Sequence, residues 1–215
     1  MKLSQKPYNK TKIFFQRKKI WISFYQFLKM NSENKFILLK ILQEIEFNLK
    51  NSNIDFEGLI EMIINKRIFI TGAGRTGLIM KSFGIRLMQL GFDVFFIGDT
   101  NTPSTSKHDL LIIGSNSGET TSISAVARKS EKIGINIILF TSNEFSTIAT
   151  CAKKIISVGA KTSELEEESS NKSFQPMSNL FEQNLIIILD TLTILLMEKM
   201  GIKEDELHSR HANLE

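Results

Sequence analysis

A chain of 215 residues with 42% apolar side chains holds enough for one buried core, and not for several independent domains. Its single cysteine, Cys151, excludes an intramolecular disulfide and a cysteine metal cluster, and fits a reducing, cytoplasmic setting. The net charge of +4 is uneven: residues 1–30 carry eight bases and no acid, while the rest hold 19 bases against 23 acids, a body too acidic to track nucleic-acid phosphates.

The basic head is expected to be an N-terminal extension over residues 1–29, ahead of a single domain over 30–215 that starts at Met30. Ile20 to Tyr25 is too short an apolar stretch for a secretory signal, and no A-x-A site follows it. Asn31 to Asn51 repeats apolar residues at helical spacing. A short helix follows over Asp55 to Asn65, with Asp55 as N-cap. Arg67 to Thr71 reads as a strand, then G-A-G-R-T-G opens a helix through Leu90, which Gly91 ends. Strands follow at Val94 to Gly98 and Leu110 to Ile113. The polar stretch S-N-S-G-E-T leads into a helix from Thr120 to Ile133, stopped by Gly134. Further strands lie at Asn136 to Phe140 and Ile155 to Val158. Lys161 to Lys172 is an acid-rich loop with the composition of a mobile lid. The last long helix, Ser178 to Met200, is interrupted by Glu182, Asp190 and Glu198, which favours a core or subunit-interface helix over a membrane span.

The strands are continuous apolar runs, as expected where helices cover both faces of a parallel sheet. Strands alternating with helices predict an α/β fold: a doubly wound, flavodoxin-like, five-stranded parallel sheet flanked by helices. Ligands in such folds sit at the carboxyl ends of the strands, where both glycine-bearing loops fall.

Gly72, Gly74 and Gly77 fit the dinucleotide fingerprint G-x-G-x-x-G, and Asp99 ends the next strand, where a ribose-binding acid would stand. The same glycines also serve a tight turn with close helix–strand packing. The second loop shifts the balance. Ser115, Ser117 and Thr120 supply hydroxyls, Gly118 lets the backbone approach a ligand, and the next helix turns its free N–H groups toward the loop. That combination suits a phosphate monoester. Ser117 as a simple helix cap accounts for less of it.

Other polar residues have plainer readings. Asn179-x-x-Glu182 has the form of a capping box. Glu119 suits the positive end of the following helix. Arg75 lies on the phosphate side but is of a type that often serves in salt bridges, and His108 reads as a surface residue. His208 and His211 are two ligands with no third in view, a poor metal site.

T-G-A-G-R-T-G, R-L-M-Q-L-G-F-D-V, D-T-N-T-P and S-N-S-G-E-T together resemble the sugar isomerase (SIS) domain. P-M-S-N-L-F-E and the terminal R-H-A-N-L-E resemble the late motif and tail of its 6-phospho-3-hexuloisomerase subfamily. The resemblance implies an isomerase of the ribulose monophosphate pathway, without metal or other cofactor. It would interconvert 3-hexulose 6-phosphate and fructose 6-phosphate as a cytoplasmic homotetramer, with no nucleic-acid or membrane partner. Residue by residue, it places Thr76, Ser115, Asn116, Ser117, Gly118, Glu119 and Thr120 at the sugar phosphate and makes Glu182 the proton-transfer base; Arg75 joins the candidate phosphate ligands by its position beside Thr76. It leaves His211 the role of reaching a neighbouring subunit's site to help open a sugar ring. Asn116 stands where the family loop has glycine; asparagine tolerates positive φ, so the turn is expected to survive. Thr76 keeps the hydroxyl of a frequent serine, and Pro176 to Asn179 departs from the usual P-x-G-[ST]. Another SIS isomerase, acting on a pentose or heptose phosphate, and a non-catalytic sugar-phosphate sensor are the alternatives.

Overall fold

The structure, a computed structural model, describes residues 32–159 and 173–213. The basic head and the Lys161 to Lys172 loop lie outside the described residues. The chain divides into two compact units, Met1–Gln43 and Glu44–Glu215, and helix α1 (Ser32–Lys50) runs through the boundary.

In the second unit, α2 (Phe56–Ile63) starts where Asp55 accepts a hydrogen bond from the Gly58 amide. Five strands then alternate with helices: β1 (Ile68–Gly72), α3 (Gly74–Gln89), β2 (Val94–Phe96), β3 (Leu110–Gly114), α4 (Thr121–Ile133), β4 (Asn136–Thr141) and β5 (Lys154–Ser157). Helix α5 (Asn179–Met200) and the short α6 (Glu204–Ser209) complete the chain. The sheet is parallel throughout, in the order β2-β1-β3-β4-β5. This is the expected doubly wound fold, and its direction of winding reverses between β1 and β3.

Alternate residues explain the layers. Ile68, Ile70, Leu110, Ile112, Ile138 and Phe140 face one side, against α2, α3 and α5. Phe69, Leu111, Ile113, Ile137 and Leu139 face the other, against α4. Helix α5 has the length and composition to cross a bilayer, yet Phe181, Leu185, Leu192 and Leu196 are fully buried within the fold. It is a core helix.

The predicted strands sit where expected, with ends shifted by one or two residues. Strand β2 stops at Phe96 because Gly98 turns left-handed (φ 101°) and the Asp99 amide donates back to the Phe96 carbonyl. Asp99 then meets Lys81 on the surface, at 3.2 Å.

At the amino ends of β1 and β3, Arg67 and the buried Asp109 form a two-point pair, Nε to Oδ1 at 3.0 Å and Nη2 to Oδ2 at 2.8 Å. The Ser106 amide also donates to Asp109 Oδ2. The Arg67 hydrogen bonds hold the Asp109 carboxyl below its ordinary range, against the opposing effect of burial. A carboxyl with a lowered folded-state pKa stabilises the fold above the unfolded value and loses that contribution as pH falls through the folded value. Asp109→Asn is therefore expected to cost roughly 2 kcal/mol at neutral pH. The gap from the parent chain should narrow below about pH 4. Denaturant unfolding at several pH values checks this; a gap that stays constant into acid would contradict it.

Candidate active site

Gly72 ends β1 and pairs with Gly114, which ends β3. A side chain on Gly77 would come 2.5 Å from the Gly72 carbonyl oxygen, so glycine there lets the first turn of α3 close onto the strand. Packing thus accounts for two of the three fingerprint glycines. The turn delivers Arg75 and Thr76 to the edge of the sheet. Thr76 is buried, and its methyl group lies beside Gly114.

Both residues are directed at Glu182, in the first turns of α5. Glu182 is only 6% exposed. Arg75 Nη1 lies 2.7 Å from Oε2, and the Thr76 hydroxyl donates to Oε1 at 3.2 Å. Arg75 also donates to the Asn179 side-chain carbonyl. The capping-box expectation fails. The helix is capped at Ser178, so Glu182 stands one place beyond the position a capping box requires, and its amide donates to the Ser178 carbonyl instead. The carboxylate is left to face Arg75 and Thr76.

The second loop, Ser115 to Thr120, leaves β3 beside this pair. Ser115 and Asn116 are buried. The Ser115 hydroxyl accepts from the Gly118 amide, and the Ser117 hydroxyl accepts from the Glu119 amide, both at 3.2 Å. Ser117 is thus no helix cap. The N-cap is Thr120, whose side chain makes no capping bond. Asn116 does not take a positive φ, contrary to expectation; Gly118 does, at 65°. The Asn116 side chain instead donates to the Ser178 hydroxyl at 3.0 Å, tying this loop to the start of α5.

Glu119, just ahead of the helix start, also reaches a separate loop. It accepts from the Thr147 amide at 2.7 Å, and Thr147 holds its carboxyl below the ordinary range. This contact belongs to a third loop, Thr141 to Ile148, which the sequence reading passed over. There the Thr141 hydroxyl and the Ser142 amide donate to the Asn116 carbonyl. Asn143 donates to the Ser117 carbonyl and the Ile148 amide to the Gly118 carbonyl. The signal was present: five of the seven residues in T-S-N-E-F-S-T are small and polar, at the end of a strand. Sequence reasoning also missed Ser178 and Asn179 as partners of the two loops.

Chemically, the arrangement is a buried carboxylate held on both oxygens, next to a loop of hydroxyls and amides at a helix start. His211 is outside it. That residue is exposed, its Nδ1 lies 2.9 Å from the Ala212 carbonyl, and no hydrogen bond among the described residues links it to Glu182 or the loops. His108 and His208 are exposed too, and no cluster of three metal-ligating side chains occurs among the described residues.

Comparison with known proteins gives the family. The SIS domain family matches residues 61–167. The chain belongs to this family of sugar-phosphate isomerases and is an isomerase. A 3-hexulose-6-phosphate isomerase of Bacillus subtilis is 39% identical over 165 residues, covering 76% of this chain and 89% of the relative. One from Methanocaldococcus jannaschii is 37% identical over 188 residues, covering 87% and 96%. A solved structure from Methanococcus jannaschii, described as inferring a 3-hexulose-6-phosphate isomerase function, superposes with a TM-score of 0.70 at 35% identity, covering 83% of this chain and 98% of that one.

The left-handed turn at Gly118 sets the shape of the second loop. A side chain there would collide with the Ser146 hydroxyl and occupy a disfavoured φ. Gly118→Ala is expected to lower stability by about 1–3 kcal/mol, read by thermal unfolding. An unchanged melting temperature would show that the loop does not need this turn.

Proposed function

We propose that this chain interconverts 3-hexulose 6-phosphate and fructose 6-phosphate by proton transfer through a cis-enediol. The observation that carries the proposal is the placement of Glu182: a buried carboxylate, oriented through both oxygens, two hydrogen bonds away from the S-N-S-G-E-T loop by way of Ser178 and Asn116. The named relatives support the choice of sugar.

In this reading Ser115, Ser117, Gly118 and Thr120 hold the phosphate, with the amides at the start of α4. Binding there, remote from the reacting carbons, orients the sugar. Glu182 removes the proton from C3 of fructose 6-phosphate, leaving a double bond between C2 and C3. It returns the proton to C2 as the O3 hydroxyl proton passes to O2, so the carbonyl moves to C3. Arg75 and Thr76 hold the carboxylate in place for both transfers. The reaction moves protons within one molecule with no net oxidation, so it consumes no nicotinamide. The setting we assign is cytoplasmic, within the ribulose monophosphate pathway.

We assign a homotetramer as well. Ile186, Ile187 and Ile194 on α5, and Leu78, Ile85 and Met88 on α3, are exposed in the single chain, an apolar surface of the kind that protein partners cover. His211 would then lie near another subunit's site. Light scattering should report a tetramer at micromolar concentration; a monomer would contradict the assignment.

Glu182→Gln tests the chemistry. Glutamine keeps the shape and can still accept from Thr76, so stability should change by about 1 kcal/mol. Its amide cannot take a proton from carbon, so kcat should fall by about 10²–10⁴-fold, with KM little changed. Steady-state kinetics and thermal unfolding of both proteins read this. Normal turnover in the glutamine variant would move the base elsewhere.

A further inference from the structure

Seven residues lead into α5, from Ser173 to Asn179. Their far end carries two links to the site: Ser178 accepts from Asn116, and Asn179 accepts from Arg75. Their near end is gripped by one side chain. The Glu44 carboxylate, in the last turns of α1, accepts three hydrogen bonds: from the Ser173 hydroxyl at 3.0 Å, the Phe174 amide at 3.2 Å and the Gln175 side-chain amide at 3.0 Å. The Ser173 hydroxyl accepts in turn from the Gln175 amide at 3.0 Å, and Gln175 is buried.

A single carboxylate that gathers three donors from three successive residues fixes both the path and the facing of that segment. Beyond it the chain turns tightly. Met177 is left-handed at φ 50°, unusual for a residue with a side chain, and the Asn179 amide donates to the Pro176 carbonyl at 3.2 Å. Met177 is itself largely exposed, so its own packing does little to hold that conformation. A strained turn persists when its surroundings over-determine it. Here the fixed points are Glu44 on one side and the contacts of Ser178 and Asn179 on the other. Glu182 follows in the next turn of helix, its amide bonded to the Ser178 carbonyl.

We propose that Glu44 is a positioning residue for proton transfer: by clamping residues 173–175 it sets the entry of α5 and hence the place of Glu182 opposite the sugar. This deepens the isomerase reading above and rests on it. Glu44 touches no residue of the S-N-S-G-E-T loop through the bonds described; the clamped segment meets that loop through the one bond from Asn116 to Ser178, while the loop's carbonyls are held separately from Thr141 to Ile148, so the phosphate site changes little when the clamp is lost.

Glu44→Ala removes all three acceptors. A displacement of the order of an ångström in a catalytic group lowers rates by about 10- to 100-fold. The expected result is a fall of that size in kcat, with the inhibition constant of inorganic phosphate, a probe of the phosphate loop, unchanged within about two-fold. Glu44→Gln should retain most of kcat. Its carbonyl still accepts, and its amide can donate to Gln175 Oε1, which is buried with no hydrogen-bond partner among the described residues, once that side chain turns over. Ser173→Ala, which removes one bond of three and leaves Glu44 in place, should give a smaller fall in kcat, and it serves if Glu44→Ala does not fold. An unchanged kcat in Glu44→Ala, a phosphate constant that rises in step with the loss of kcat, or a glutamine variant as impaired as the alanine variant would each overturn the proposal. Glu182→Gln in the same assay separates the two levels. If it is inactive while Glu44→Ala is normal, the clamp alone fails; if it is active, the proton-transfer reading fails and the clamp with it.

Discussion

Taking a carboxylate out of water costs several kcal/mol unless its oxygens find partners. Glu182 is 6% exposed, and Arg75 and Thr76 are the partners the fold gives it. Much of the site's architecture can be traced from that pair. Arg75 and Thr76 must leave the end of β1 in adjacent positions at the start of a helix. That helix must lie close enough to the strand for Gly77 to have no room for a side chain. Glu182 must arrive from a helix more than a hundred residues later, so α5 has to cross the same sheet face as α3. The apolar layer formed by α2, α3 and α5 puts it there. The ion pair is half open to water on the Arg75 side, since that side chain is 55% exposed. Its role in stability is therefore modest and its role in orientation large.

The second constraint is the reversal of winding between β1 and β3. It opens a crevice at their carboxyl ends and brings together two loops separated by some forty residues of chain. The S-N-S-G-E-T loop does not hold its shape alone. The carbonyls of Asn116, Ser117 and Gly118 are each bound by the Thr141 to Ile148 loop, and Glu119 reaches across to Thr147. Tying the carbonyls back from behind leaves the loop in one conformation. Such preorganisation lets a site bind an anion without first ordering itself.

The fold was legible because its signals are local and repeated. Five apolar runs, each followed by turn residues or a helical pattern, leave little choice beyond a parallel sheet. The two loops were legible by composition and position. What could not be read was which side chain meets which. Asn179 and Glu182 have the spacing of a capping box, and only the helix start at Ser178, one residue earlier, shows that the carboxylate is free to pair with Arg75. Ser117 sits before a helix and looks like a cap residue, yet it bonds to the Glu119 amide within its own loop, while Glu119 reaches the Thr147 amide in another. Asn116 was expected to replace a glycine in a left-handed turn, whereas the turn belongs to Gly118 and the amide group spans the site to Ser178. Glu44 gave no sign at all, because a surface-spaced glutamate on an amphipathic helix looks like any other. For Glu182, Glu119, Asn116 and Glu44 the partner that decides the role is distant in sequence.

The central claim is that the carbonyl of a hexulose 6-phosphate moves between C2 and C3. Carbon NMR of the purified chain incubated with fructose 6-phosphate in deuterated water tests it directly. The account predicts a second ketose phosphate with its carbonyl at C3, and recovered fructose 6-phosphate carrying deuterium at C3. Absence of conversion, or formation of an aldose phosphate with exchange at C1, would contradict it.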